Sequence, residues 1–127
     1  MAQIILTIPD EVLKNIFITA TEGGSDWGHL SKKESDRVRE ASPDEKAFSE
    51  KLFDAVYYKG LDVEVLDADT NEKIGVLSRK TMSERLQALY ANPMYSYAIL
   101  EEIKEEGDAE TSDVVFQYLV MGEVKFS

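Results

Sequence analysis

The single histidine and the single tryptophan of this sequence lie two residues apart, in the stretch TEGGSDWGHL at residues 21–30. An imidazole acts as a general base near neutral pH, so His29 is the first side chain to consider for catalysis. Nucleophilic catalysis also needs an activated Ser or Cys, but the chain has no Cys and no Gly-x-Ser-x-Gly segment. A zinc site needs further soft ligands beside one histidine. We therefore predict that His29 is a surface residue of a polar loop, that no metal or cofactor is bound and that the chain is not an enzyme.

The paired glycines of this stretch do not form a phosphate-binding loop. A P-loop ends in Gly-Lys-Ser/Thr, and both it and a Rossmann turn precede a helix, whereas Gly23 and Gly24 follow one. The structural interpretation is a glycine C-cap with Trp27 folded back on the domain. The functional interpretation is a flexible loop that presents Trp27 to a partner, because Trp is favoured at interface hot spots. Glu22 and Asp26 would then make a cationic contact beside it.

A second stretch, DADTNEK at residues 67–73, has the alternating oxygen ligands of a calcium-binding loop. The sixth position of such a loop must be glycine and the twelfth a bidentate glutamate, but here they are Glu72 and Ser78. Asp and Asn are also typical of tight turns. We therefore predict a hairpin tip and no calcium site.

The charge balance is strongly acidic, with 25 acidic and 14 basic residues and a net charge of −11. Phosphate backbones repel such a chain, so we expect no direct binding to nucleic acid. The charge suits a basic surface on a partner protein, although acidity can also serve solubility alone. The densest acidic run is EEIKEEGDAE at residues 101–110, and its partner-binding candidates are Glu101, Glu102, Glu105, Glu106 and Asp108.

The arginines support an alternative function, in which an oligomer of this chain sequesters a small nucleotide signal. Guanidinium groups bind phosphate through paired hydrogen bonds. An anionic ligand would have to overcome the negative field of the chain. The candidates for this site are Arg37, Arg39, Arg79 and Arg85.

The composition predicts a single globular domain over residues 1–127, with 43% hydrophobic and 31% charged residues. The lack of Cys favours a reducing compartment such as a cytoplasm. No run approaches the roughly 18 apolar residues of a membrane span, and the first residues do not resemble a signal peptide. We expect no membrane partner, and the sequence leaves open whether the chain forms a homo-oligomer.

The elements that position these residues follow from periodicity and capping signals. Residues 25–41 are polar and predict a loop or a weak segment. Ser42, Pro43 and Glu45 predict the start of a helix that ends at Gly60. The other predicted elements are an N-terminal strand at 3–8, a helix from Pro9 to the paired glycines, a hairpin of 61–67 and 73–78, helices at 79–91, 94–106 and 109–121, and a C-terminal strand at 123–126. This order predicts an α+β fold, in which about five helices pack on a small, mostly antiparallel sheet of the two terminal strands and the hairpin.

Two segments carry a resemblance to a known group of proteins. IPDEVLKNIFITATEGGSDW resembles the start, and DAETSDVVFQYLVMGEVKF the end, of small acidic proteins encoded by bacteriophages and prophages. The segment KGLDVEVLDADTNEKIGVLSRKTM is loosely similar to their hairpin and the start of their third helix. The resemblance carries no assigned activity and no catalytic residue. It implies a phage accessory protein that acts inside a bacterium, and we expect it to bind and inhibit a host defence factor through an acidic face.

Overall fold

A computed structural model describes residues 6–126, which contain six α-helices and three short strands. The elements follow one another in the chain as α1 Asp10–Thr19, β1 Gly28–His29, α2 Lys32–Ala41, α3 Phe48–Phe53, β2 Val63–Asp67, β3 Lys73–Leu77, α4 Arg79–Ala91, α5 Ser96–Ile103 and α6 Ala109–Met121. Wider π-type turns extend α1 over Ala20–Gly24 and α3 over Asp54–Tyr58. None of the helices in this part of the chain has the length and apolar content needed to cross a membrane.

Helix α6 lies at the centre of the molecule and is buried on almost every side. It packs against α1, α4, α5 and β3. Strand β3 approaches the backbone of α6 so closely that a Cβ on Gly75 would lie 2.2 Å from the carbonyl oxygen of Val120. The core therefore forms around one helix, and Gly75 is the contact point that lets the sheet reach it.

The predicted α+β class is confirmed, but the sheet differs from the predicted one. Its strands are antiparallel in the order β1-β2-β3, with Val63 opposite Leu77 in the central hairpin. The third strand is β1, where Gly28 pairs with Asp67. Neither terminal strand contributes within the described chain: residues 6–8 and 123–126 are not strands, and residues 3–5 lie outside the described residues.

The C-terminal segment is held by a side chain instead of a strand ladder. The Gln117 amide is fully buried on α6; its Oε1 accepts from the backbone N–H groups of Lys125 and Phe126, and its Nε2 donates to the Phe126 carbonyl. These three bonds satisfy backbone groups that would otherwise need a neighbouring strand. The alternating pattern of residues 123–126 therefore marks a docked segment, and the prediction of a strand there was wrong.

The prediction of a loop or a weak segment over residues 25–41 missed a helix, because α2 occupies Lys32–Ala41. Ser31 caps this helix by accepting from the Glu34 backbone N–H at 3.1 Å. Val38 is its buried apolar residue, and its first-turn Glu34 is buried as well. A helix with so little apolar surface gives almost no periodic signal, so its sequence resembles a polar loop.

Ser42 ends α2 instead of starting the next helix. Its backbone N–H donates to the Val38 carbonyl, its side chain is buried, and α3 begins only at Phe48. The predicted helix start with Glu45 does not form: the Ser42 hydroxyl has no hydrogen-bond partner in the described structure, and residues 44–46 are bends. The predicted bounds of the helices at 79–91 and 109–121 are confirmed. The helix predicted at 94–106 is shorter, because Glu105 adopts a left-handed backbone with φ of 60°.

Candidate functional site

Trp27 closes one side of the core. Its ring is half-buried, stacks on Phe126 with ring centres 5.4 Å apart, and lies 6.2 Å from Phe116. The indole N–H donates to Asp113 Oδ1 at 2.7 Å. One face of the ring and its polar edge are therefore engaged within the molecule. Of the two interpretations of Trp27, this geometry supports the lid on the core.

Asp113 on α6 organises the loop around Trp27. The same Oδ1 also accepts from the Ser25 hydroxyl at 2.6 Å, and Oδ2 accepts from Gln117 Nε2 at 2.9 Å. Gln117 in turn holds the C-terminal segment on which the Trp27 ring stacks. Loop, central helix and C-terminal segment thus share one hydrogen-bonded network.

His29 lies at the surface, with Nε2 2.7 Å from Asn71 Oδ1 at the tip of the hairpin. At that tip, the Asp67 carboxylate accepts from the backbone N–H groups of Asp69 and Thr70, and these bonds lower its pKa below the ordinary value. Asn71 takes the left-handed backbone with φ of 62°. These are the bonds of a tight turn. Among residues 6–126, no group of three His, Asp or Glu side chains is arranged to hold a metal ion.

The acidic run at residues 101–110 divides into a buried part and an exposed part. Glu102 is only 9% exposed and accepts from the hydroxyls of Thr111 and Ser112, at 2.7 and 2.6 Å. Asp108 caps α6 by accepting from the Thr111 backbone N–H. We place Glu102 in the scaffold of the α5–α6 connection, because its carboxylate is nearly buried and bonded to both hydroxyls.

The remaining acidic candidates fall into two sets. The turn that carries Glu22 packs on α6, and a Cβ on Gly24 would lie 3.6 Å from the Ala109 carbonyl oxygen, but the Glu22 carboxylate accepts from the Ser49 hydroxyl of α3 at 3.0 Å. Asp26, next to Trp27 in the chain, is exposed. We call the surface carboxylates of the α5–α6 connection the acidic rim and define it as Glu101, Glu105, Glu106, Asp108 and Glu110.

Tyr97 on α5 belongs to the same surface, although the sequence does not single it out as a site residue. Its hydroxyl donates to Glu110 at 3.1 Å, and its ring is 39% exposed. Burial, the hydrogen bond to Glu110 and the negative charges of Glu110 and Glu101 raise the pKa of Tyr97 above its ordinary value. The phenol therefore stays neutral as a hydrogen-bonding aromatic among carboxylates.

The four candidate arginines share no partner within the described chain. Arg37 pairs with Glu34 and Arg39 with Asp36. The Arg79 guanidinium lies 4.0 Å from the centre of the Tyr57 ring, and Arg85 donates to the Tyr118 carbonyl at 3.3 Å. The structure therefore does not bring them together into one basic pocket.

Comparisons of this chain with protein-family models, with curated proteins and with solved structures each found no match.

Proposed function

We propose that this chain is a non-enzymatic binding protein whose acidic rim docks on a basic surface of a partner protein. By its sequence resemblance, the partner would be a host factor in a bacterium, and the chain a phage accessory protein that inhibits this factor. A surface that itself binds nucleic acid is the best-matched partner surface, because the rim presents carboxylates where phosphates would otherwise bind.

The observation that carries this proposal is the unneutralised charge of the rim. Seven ion pairs occur in the described part of the chain, and no rim residue takes part in any of them. Glu105, Glu106, Asp108 and Glu110 are exposed and Glu101 is half-buried. Asp108 and Glu110 suit the start of α6, but Glu101, Glu105 and Glu106 lie at the C-terminal end of α5, where the helix dipole disfavours negative charge. Helix stability alone therefore does not explain the arrangement.

Exposed apolar side chains beside the rim add the second component of an interface. Tyr97 contacts Glu110, and Met94, three residues before it, is 69% exposed. Binding energy concentrates on aromatic and similar anchors, whereas charges at the edge steer association. A basic surface with an arginine that stacks on Tyr97 would use both components.

The test is binding to an immobilised basic nucleic-acid-binding protein as salt is raised. A rim variant carries Glu101→Gln, Glu105→Gln, Glu106→Gln and Glu110→Gln. The matched control removes four exposed charges elsewhere, through Glu40→Gln, Asp44→Asn, Glu45→Gln and Glu84→Gln. We expect the retention of the native chain to fall steeply as salt is raised. At low salt, the rim variant should lose its retention, whereas the control should keep most of its retention.

Affinity capture from a bacterial lysate with the same three proteins then identifies the partner. Equal loss of capture by the rim variant and the control would contradict a specific role of the rim. Thermal stabilisation by a nucleotide, without salt-sensitive retention, would contradict the proposal and favour the sequestering function.

A further inference from the structure

A cavity of about 220 Å³, open to solvent on one side, lies beneath the Trp27 loop and is lined by residues of α2, α3, the hairpin and α6. The rings of Trp27, Phe48 and Phe116 and the aliphatic side chains of Leu52, Val65 and Leu77 form its wall. We propose that this cavity binds a small uncharged aromatic molecule of one or two rings. The proposal is independent of the acidic rim.

The size of the cavity sets the size of the ligand. A cavity of about 150 Å³ with Leu, Ile and Phe walls binds benzene. The cavity here is larger, at about 220 Å³, and therefore suits a fused two-ring system such as indole. Drug-sized ligands occupy cavities of about 300 Å³ or more, so a molecule larger than two fused rings would extend out of this cavity into solvent.

The chemistry of the wall sets the charge of the ligand. Among the described residues that line this cavity, His29 is the one titratable side chain, and it is exposed and hydrogen-bonded to Asn71. The groove at Arg79 and the cavity beside Glu102 differ in this respect, because each has charged side chains in its wall. A charged ligand would lose its hydration here without gaining a counter-charge.

The polar atoms of the wall point to mainly apolar recognition. The Thr21 hydroxyl donates to the Phe17 carbonyl and the Ser25 hydroxyl donates to Asp113, so both donors are already used. Ser35 on α2 contributes a further half-buried hydroxyl. A flat ring stacked among the three aromatic side chains gains contact area without displacing these bonds.

The single tryptophan makes the test direct. Its indole N–H produces one isolated signal in the ¹⁵N–¹H spectrum, so binding beside Trp27 can be followed in the native chain. The probe is indole, and the charged comparison is indole-3-acetate, which keeps the rings and adds a carboxylate. We expect a saturable shift of the Trp27 signal and of the Leu52, Val65 and Leu77 methyl signals with indole, and binding at least about tenfold weaker with indole-3-acetate.

A filled cavity provides the second arm. Ser35→Phe places a ring in the cavity, and Ser83→Phe makes the same change at an exposed position of α4. We expect Ser35→Phe to abolish the indole response and Ser83→Phe to keep it. A non-saturable shift, an equal response to indole-3-acetate or unchanged binding to folded Ser35→Phe would overturn the proposal. If Ser35→Phe does not fold, the comparison of the two probes on the native chain decides.

Discussion

The Asp113 carboxylate accepts side-chain hydrogen bonds from Ser25, Trp27 and Gln117, and each of its oxygens is used. Gln117 cannot rotate its amide to compensate for a change at Asp113, because its Oε1 already accepts from two backbone N–H groups. The network therefore requires a group with two acceptor oxygens at position 113. This requirement is a property of a single residue, and it ties the Trp27 loop to the core.

We expect Asp113→Asn to lower the free energy of unfolding by about 1–3 kcal/mol, because its amide NH₂ replaces one of the two acceptors that these donors need. Urea denaturation measures the loss, and Trp27 emission should shift to longer wavelength as the ring becomes exposed. Asp44→Asn, at an exposed position, is the matched control. Unchanged stability in Asp113→Asn would show that these hydrogen bonds do not hold the loop.

Glu34 is a second residue whose environment sets its chemistry. Burial raises the pKa of its carboxyl, but hydrogen bonds from Arg37 and the Glu64 backbone N–H and the charge of Arg37 outweigh burial, so the pKa lies below its ordinary value of 4.5. A lowered pKa in the folded state stabilises the fold above the unfolded value, and this stabilisation is lost as pH falls through the folded value.

We therefore expect Glu34→Gln to destabilise the protein at pH 7 by about 1–3 kcal/mol and to have a smaller effect below pH 4.5. Urea midpoints at a series of pH values measure the difference. Glu40→Gln, on the exposed C-terminal end of α2, should leave both the midpoint and its pH dependence nearly unchanged. A difference that grows towards low pH would contradict the assigned sign.

At the scale of the elements, one serine that the sequence predicts as the start of a helix is the end of another helix in the structure. The Ser-Pro-Asp-Glu segment predicts a helix start at Ser42, yet Ser31 caps α2 and Ser42 ends it. The Ser42 hydroxyl is buried without a hydrogen-bond partner in the described structure. Ser42 does mark a helix boundary, but the boundary is the end of α2 and not the start of the next helix.

This assignment gives opposite expectations for two serine substitutions. Ser31→Ala should cost about 1 kcal/mol, because it removes the N-cap of α2. Ser42→Ala should be nearly neutral or stabilising, because it removes a buried hydroxyl that has no partner. Denaturant unfolding of both variants measures the contrast. A loss of about 1 kcal/mol in Ser42→Ala would instead support the helix start that the sequence predicts.

At the scale of the whole molecule, the net charge of −11 is unevenly compensated. The ion pairs lie on α1, α2, α3, the hairpin and α4, whereas the acidic rim around the start of α6 has none in the described chain. Self-repulsion of unpaired charges opposes folding and is screened by salt.

We expect the fourfold rim variant to unfold at a higher urea concentration than the native chain at low salt. The gain should disappear at about 1 M salt, where the Debye length is about 3 Å. Asp36→Asn is the opposite control, because Asp36 pairs with Lys32 and Arg39 and its loss should lower the midpoint slightly. A rim variant that is less stable at low salt would mean that these carboxylates support the fold.

The sequence by itself determined the α+β class, the hairpin and the bounds of α4 and α6, because these features depend on periodicity, turn residues and caps within a few positions. It also identified the acidic run and the Trp27 loop as candidates. Only the tertiary structure decided which elements form the sheet and which side of Trp27 is covered. It also decided that Glu102 is buried while the other carboxylates of residues 101–110 stay at the surface. These outcomes depend on contacts such as Trp27 with Asp113, across 86 positions of the chain, which no local pattern records.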